Sequence, residues 1–255
     1  MDLQLGGKVA VISGASAGIG RATAKTLARE GVQTIVVARR DAQLQSLADE
    51  IRADGAPAPM VIVDNLLDDD SFARVTAKAL GEFGGVDIVI NNLGQARPFD
   101  LDTSEEEWEE AFRLNFSTPR RLATPFIPGM QERKFGRIVN LTATSEPGHV
   151  SGSLTSKGAV LMWAKGLSRM VMKDGITVNC ISPGYLMTDQ IRQDFIPRFV
   201  PTEELQKEWL EREIPARRFG DPSDAANIIT FLCSPLASYI TGQRIYVDGG
   251  WNRHV

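Results

Sequence analysis

The chain has 255 residues, 43% of them hydrophobic, and a formal net charge of −4. That length suits one large α/β domain with a sizeable core better than two small ones. The acidic balance excludes a global attraction to nucleic acid or anionic membrane, and no run approaches the ~18 apolar residues of a membrane span.

Short β-branched runs alternate with longer helical patterns along the chain. Residues 8–13 predict a strand, 19–30 a helix and 33–38 a strand. Helical spacing follows over 42–53, a short strand over 60–63 and a further helix over 71–83. Residues 86–91 are nearly continuously apolar, with Val86-Asp87-Ile88-Val89-Ile90, and 137–141, 176–181 and 244–247 repeat that signature. Strands apolar throughout are buried on both faces, which implies a parallel sheet covered by helices. Strict βαβ alternation then gives right-handed crossovers and a Rossmann-like, doubly wound α/β fold in three layers. No domain boundary is evident over 1–255, but 187–218 interrupts the alternation with Phe195, Ile196, Phe199 and Trp209. Such an insertion either covers a ligand crevice or forms a surface helical pair. The run Glu105-Glu106-Glu107-Trp108-Glu109-Glu110 suits the first turns of a helix, where negative charge is favourable, and is assigned no chemistry.

The first predicted strand ends at Ser13 and runs into Gly14-Ala15-Ser16-Ala17-Gly18-Ile19-Gly20. Glycines there allow a tight turn, close backbone approach to a pyrophosphate and close packing of the next helix. That helix would aim its free N–H groups at the phosphates. The G-x-x-x-G-x-G spacing resembles the short-chain dehydrogenase/reductase family, of the single-domain type similar to 3-oxoacyl-carrier-protein reductases. The resemblance extends over nearly the whole chain, through Asn91-Asn92-Leu93-Gly94, Asn115, Pro183-Gly184 with Thr188, and Val247-Asp248-Gly249-Gly250. It implies about seven parallel strands and a nicotinamide cofactor. By position, Gly14, Ser16, Gly18, Ile19 and Gly20 would line the pyrophosphate. Asp64 would hold the adenine amino group, Asn92 the adenosine ribose and Thr188 the nicotinamide carboxamide, with Gly94, Pro183 and Gly184 in the same contact. Asn91 and Asn92 serve equally well as scaffold at the sheet centre. Leu93 replaces the family's small alanine and would crowd the nicotinamide side. At the end of the second strand stand Ala38-Arg39-Arg40, with no acid before Asp41. An acid there would accept from a ribose 2′-OH, whereas Arg39 accommodates a 2′-phosphate, so NADP(H) is expected over NAD(H). Ala17 argues the other way, because NADP(H)-preferring members often carry a basic residue there.

The resemblance breaks at the acid. In the family a tyrosine donates the proton, a serine orients the carbonyl, a lysine depresses the tyrosine pKa and binds ribose, and an asparagine anchors a water relay. Lys157 and Asn115 match. The serine position falls on Ala143 and the tyrosine position on Ser153. A phenol titrates near ~10 and a neighbouring ammonium brings it lower. A serine hydroxyl is far less acidic and much shorter, and reaches a substrate oxygen only through water. Ser153 and Lys157, at i and i+4, share a helix face, though Ser153 also suits a helix N-cap. Replacement donors are Thr142, Thr144, Tyr185 and His149, the last in a loop a few residues shorter than is usual in the family. Tyr239 and Tyr246 read as core or interface. Arg97 could receive an anionic substrate group or be a solvated loop residue.

Cys180 and Cys233 lie far apart in apolar surroundings, so buried free thiols are expected, and two histidines leave no material for a metal site. No basic segment precedes an apolar one at the N-terminus, so a cytoplasmic protein is expected. Three functions stay open: an NADP(H)-dependent oxidoreductase acting on a small carbonyl or secondary alcohol with an altered proton relay, a cofactor-binding sensor or scaffold, and non-redox chemistry on the same scaffold. The family also implies a homo-oligomer, tetramer or dimer, with the Leu161-Met162-Trp163 segment and Trp251 as interface material.

Overall fold

The computed structural model describes residues 1–96, 99–144 and 146–253. The strands are β1 (Val9–Ser13), β2 (Gln33–Ala38), β3 (Met60–Val63), β4 (Ile88–Asn91), β5 (Gly136–Leu141), β6 (Ile176–Pro183) and β7 (Arg244–Val247). Among the described residues these seven form one sheet in the order β3-β2-β1-β4-β5-β6-β7, and every neighbouring pair is parallel. The expected boundaries hold to within two residues. β4 starts at Ile88 because Asp87 meets β1 with its carboxylate as well as its backbone: Oδ2 accepts from Val9 N–H at 3.1 Å. β6 runs on to Pro183, beyond the expected end, by pairing with Val247.

Alternate residues along each strand enter different cores. Ala10, Ile12, Val36, Ile88 and Ile90 pack on one face; Val9, Val11, Ile35, Val37 and Val89 pack on the other. The first face is covered by α1 (Gly18–Arg29) and α2 (Asp41–Ala53), with α10 (Pro222–Cys233) beside them, through Leu27, Leu47 and Ile229. The second is covered by α3 (Ser71–Phe83), by the short α5 (Thr118–Ala123) and α6 (Ile127–Glu132), and by the long α7 (Gly152–Val171). Each fully buried Leu or Ile contributes about 1.5–3 kcal/mol by leaving water, which is why both faces read as continuous apolar runs. The acidic run opens α4 (Glu105–Phe112) behind a capping box of Ser104 and Glu107, as its charge pattern implied. Cys180 and Cys233 are buried free thiols. Tyr239 is 98% exposed, which removes the core alternative for it and leaves the interface one. No helix among the described residues is long and apolar enough to cross a membrane.

Strand order reverses between β1 and β4. The connections leave in opposite directions there, which opens a crevice beyond the carboxyl ends of the strands. The 187–218 insertion lies over this end as a π-type turn at Ile191–Phe195, α8 (Ile196–Phe199) and α9 (Glu203–Glu213).

Candidate functional site

A cavity of about 670 Å³ occupies the crevice and is walled by the carboxyl ends of β1, β2, β4, β5 and β6. Its nucleotide end is built by the glycine loop. Gly14 and Gly18 have φ of 66° and 55°, left-handed values that only glycine adopts without strain. A Cβ on Gly18 would stand 3.2 Å from Thr188 Cγ2, so the loop and the segment after β6 face each other across a gap that side chains cannot fill. The start of α1 has no side-chain cap and no acidic residue in its first turn. Its free N–H groups and positive dipole end are therefore available to an anion. These features fit a dinucleotide pyrophosphate.

Gly20 supports the cradle from below and is not in the cavity wall. A Cβ there would meet Asn92 Nδ2 at 2.4 Å and Gly14 O at 2.6 Å, so glycine is required for close helix–strand packing. Asn92 lines the cavity and also ties the loop to the sheet. Its amide donates to Ser13 O (3.2 Å) and Gly14 O (3.1 Å), and its backbone N–H to Ser13 Oγ. Asn91 donates to Asn140 Oδ1 at 2.8 Å in the sheet centre. Asp64 lines the cavity, but both its oxygens accept from Arg74 at 2.9 and 2.7 Å, and these bonds hold its carboxyl below the usual range. Arg39 lines the same end. Arg40 lies closer to the loop, donating to Ser16 Oγ from Nε (3.2 Å) and Nη2 (3.0 Å). Its participation was not anticipated. The signal was positional: Arg40 is the residue before α2 begins, and its side chain can swing back over the glycine loop.

The chemical end centres on Lys157. A Cβ at Gly94 would stand 2.9 Å from Lys157 Nζ and 3.0 Å from Asn115 Oδ1, so these three residues converge. Asn115 sits in a π-type turn, Arg113–Ser117, between α4 and α5. The widened turn presents its side chain inward, with Nδ2 donating to Ala111 O (3.0 Å) and Oδ1 accepting from Gln95 N–H (3.3 Å). Lys157 Nζ reaches Leu141 O and Thr142 O at 3.4 and 3.5 Å, and burial pushes its ammonium down to about 8. Ser153 shares its helix face and lines the cavity. Ser151, not Ser153, is the N-cap, accepting from Leu154 N–H, and Ser153 Oγ lies 3.0 Å from Ser151 Oγ.

A family profile described as enoyl-(acyl carrier protein) reductase matches residues 14–252. The chain belongs to the short-chain dehydrogenase/reductase family. Its curated relatives include the 3-oxoacyl-[acyl-carrier-protein] reductase FabG of Escherichia coli K12, 34% identical over 96% of this chain and 97% of that protein. FabG of Vibrio cholerae is 32% identical over 97% and 98%. Among solved structures, L-sorbose reductase from Gluconobacter frateurii, complexed with NADPH and L-sorbose, superposes with a TM-score of 0.93 at 30% identity over 100% of both chains. These relatives are named as reductases, and this short-chain family member is an oxidoreductase of that kind.

Within this short-chain oxidoreductase the replacement acids separate. His149 is exposed and stands outside the cavity wall, because the loop before α7 turns it to solvent. Thr142 lines the cavity, but it is buried and its hydroxyl is turned into the β5–β6 seam, 3.0 Å from Ile181 O and 2.8 Å from Ser182 Oγ. Thr144 donates to Asn252 Oδ1 at 2.7 Å. Tyr185 does line the cavity, boxed at 4.7, 4.7 and 4.8 Å by Phe195, Trp209 and Trp251. Burial, with the Glu213 charge, raises its pKa, so it is a poorer acid than an ordinary phenol. Pro183, Gly184 and Thr188 line the wall as the motif implies. Arg97 lies outside the described residues.

Proposed function

We propose that this chain is an NADP(H)-dependent reductase of small carbonyl compounds, in which Lys157 and a water held between it and Ser153 take the place of the family's tyrosine. The carrying observation is that Lys157 and Gly94 line the same cavity as the glycine loop and Thr188, with buried Asn115 meeting both of them at its edge. Residues 1–255 are taken as one domain, with 187–218 as a lid, assembling as a dimer or tetramer. Met162 and Met170, exposed on one face of α7, support a subunit contact.

A bound reduced nicotinamide would supply the hydride. Thr188 and the Pro183-Gly184 turn orient the ring end, the glycine loop and α1 hold the phosphates, and Arg39 with Arg40 receives a 2′-phosphate. The name of the sorbose reductase structure, which includes NADPH, supports that preference. Losing one charge-assisted contact to a phosphate costs about 1.5–3 kcal/mol, or roughly 10–100-fold in affinity. Arg39→Ala and Arg40→Ala are therefore expected to raise the Kd for NADPH by that factor and leave NADH binding nearly unchanged. Fluorescence titration with both cofactors checks it, and an equal loss for both would remove the assignment.

Lys157 is protonated at neutral pH and, through one water, donates to the oxygen that gains charge during reduction. With burial holding its pKa near about 8, kcat/KM for reduction is expected to fall as pH rises through about 8, while alcohol oxidation rises. The linked stability effect has the opposite slope. The unfolded chain holds this proton more tightly, so stability increases from about 8 toward 10.5. A flat kcat/KM profile over that window would exclude Lys157 as the titrating group.

A second reading is favoured by serine rather than tyrosine at position 153 and by the profile's description as an enoyl reductase. Hydride addition to a double bond conjugated with a carbonyl leaves an enolate. An ammonium can stabilise it until solvent protonates carbon, so no strong acid is needed at the oxygen. Following NADPH absorbance with matched saturated ketones and α,β-unsaturated carbonyls decides between the two, and inactivity on both would point to a cofactor-binding protein without turnover.

A further inference from the structure

The segment after β7 does more than end the sheet. Gly249 and Gly250, at φ of 65° and 87°, turn the chain back toward the cavity. A Cβ on Gly249 would meet Ala216 Cβ at 2.9 Å and one on Gly250 would meet Pro215 Cγ at 3.1 Å, so this turn rests on the end of the 187–218 insertion. Asp248 locks it: Oδ1 accepts from Gly250 N–H at 2.9 Å, and Oδ2 accepts from Asn252 N–H (2.9 Å) and Nδ2 (2.7 Å). The locked Asn252 then accepts from Thr144 Oγ1 at 2.7 Å, and Arg253 N–H donates to Glu146 Oε1 at 2.7 Å. The tail thereby grips the short stretch directly after Ala143, where the family's serine is missing.

Between these anchors Trp251 enters the cavity wall, its ring edge-to-face with Tyr185 at 4.8 Å and 77°. Tyr185 meets the lid residues Phe195 and Trp209 on its other sides. Indole and phenol together give the chemical end an aromatic corner whose position is set by the tail. Aromatic groups favour edge-to-face or offset contacts with a further ring, a gain beyond simple area burial that an aliphatic group does not obtain.

We propose that Asp248–Arg253 is the substrate-selecting wall of this site, with Trp251 as its specificity residue, and that it favours carbonyls or alcohols carrying a planar apolar ring. This rests on reading the cavity as a reductase site, yet it is separable from turnover by direct binding. Calorimetric titration of the full-length protein with 1-(2-naphthyl)ethanol and with 2-butanol as probes provides the test. The naphthyl probe is expected to bind at least about tenfold more tightly, a difference of ~1.4 kcal/mol. Trp251→Ala should collapse that ratio by about tenfold, Trp251→Phe should restore most of it, and NADPH affinity should hold within about twofold. Trp251→Leu, which keeps apolar bulk without a ring, gives the same reading if the alanine variant melts too low. Asn252→Ala, which keeps the indole but removes the bonds to Thr144 and Asp248 that fix its position, should reduce the ratio part of the way. Equal binding of the two probes by the wild-type protein, or an unchanged ratio in both Trp251→Ala and Trp251→Leu, overturns the proposal. If the wild-type protein binds the naphthyl probe selectively but reduces nothing, the reductase reading fails and the selective wall stands.

Discussion

Replacing Lys157 by methionine is expected to lower kcat for carbonyl reduction by ~10²–10⁴-fold, the usual loss when positioned acid catalysis is removed. In a family member with a tyrosine, such a change leaves the phenol in place as a poorer acid. Here Ser153 is too short and too weakly acidic to replace the lost proton source, so nothing on the same helix face compensates. The buried stem of Lys157 packs beside Gly94 and Asn115, and methionine keeps much of that apolar volume. Folding should therefore survive, and removing a cation from a half-buried site even removes a desolvation cost. Binding of NADPH should weaken too, since the family resemblance assigns the same ammonium to the ribose. Steady-state kinetics with a melting curve and a cofactor titration checks all three. Retention of wild-type kcat by a folded Lys157→Met variant would sink the proposed relay.

Much of this architecture was legible because parallel strands announce themselves. Val36-Val37 and Ile88-Val89-Ile90 are apolar on both faces, and no other common sheet environment produces that pattern. The glycine loop was legible for a similar reason, since a backbone required to take a left-handed turn and approach a phosphate leaves few residue choices. The chemical end was less so. Thr142, Ser153 and Tyr185 are hydroxyl-bearing residues near one another in the chain or the fold, but only packing decides which hydroxyl faces the cavity. The Thr142 hydroxyl is taken up by the β5–β6 seam, because just past the end of β5 it meets Ile181 O and Ser182 Oγ. His149 is lost to solvent, because the loop before α7 leaves it exposed and outside the cavity wall. Arg40 went unassigned, and Trp251 was read as interface material and not as cavity wall, for the converse reason. Each occupies a hinge between elements, where the direction of a side chain follows from tertiary contacts rather than from periodicity.

The other large effect is a gain. The double variant Ser153→Tyr with Ala143→Ser is expected to reduce simple ketones at least tenfold faster than the wild-type protein, toward the ~10²–10⁴ that a well-placed acid contributes. The phenol would rise from the helix face that carries Lys157, one turn away, into the cavity that Ser153 now lines. The ammonium beside it would lower its pKa from ~10, giving a donor matched to neutral pH. Serine at 143 adds a hydroxyl to a position that already lines the cavity wall and whose carbonyl is held by Arg244. The opposing effect is steric. Ser153 is only 5% exposed, and enlarging a packed residue typically costs about 1–3 kcal/mol. Ser153→Phe with the same Ala143→Ser change fills the same space without an acid, so the ratio of the tyrosine to the phenylalanine variant isolates the proton from the packing. A ratio near one in variants that fold and bind NADPH would mean that reduction here never waited for an acid at this position. In that case hydride addition to a conjugated double bond, with Lys157 stabilising the enolate, becomes the better account of the site.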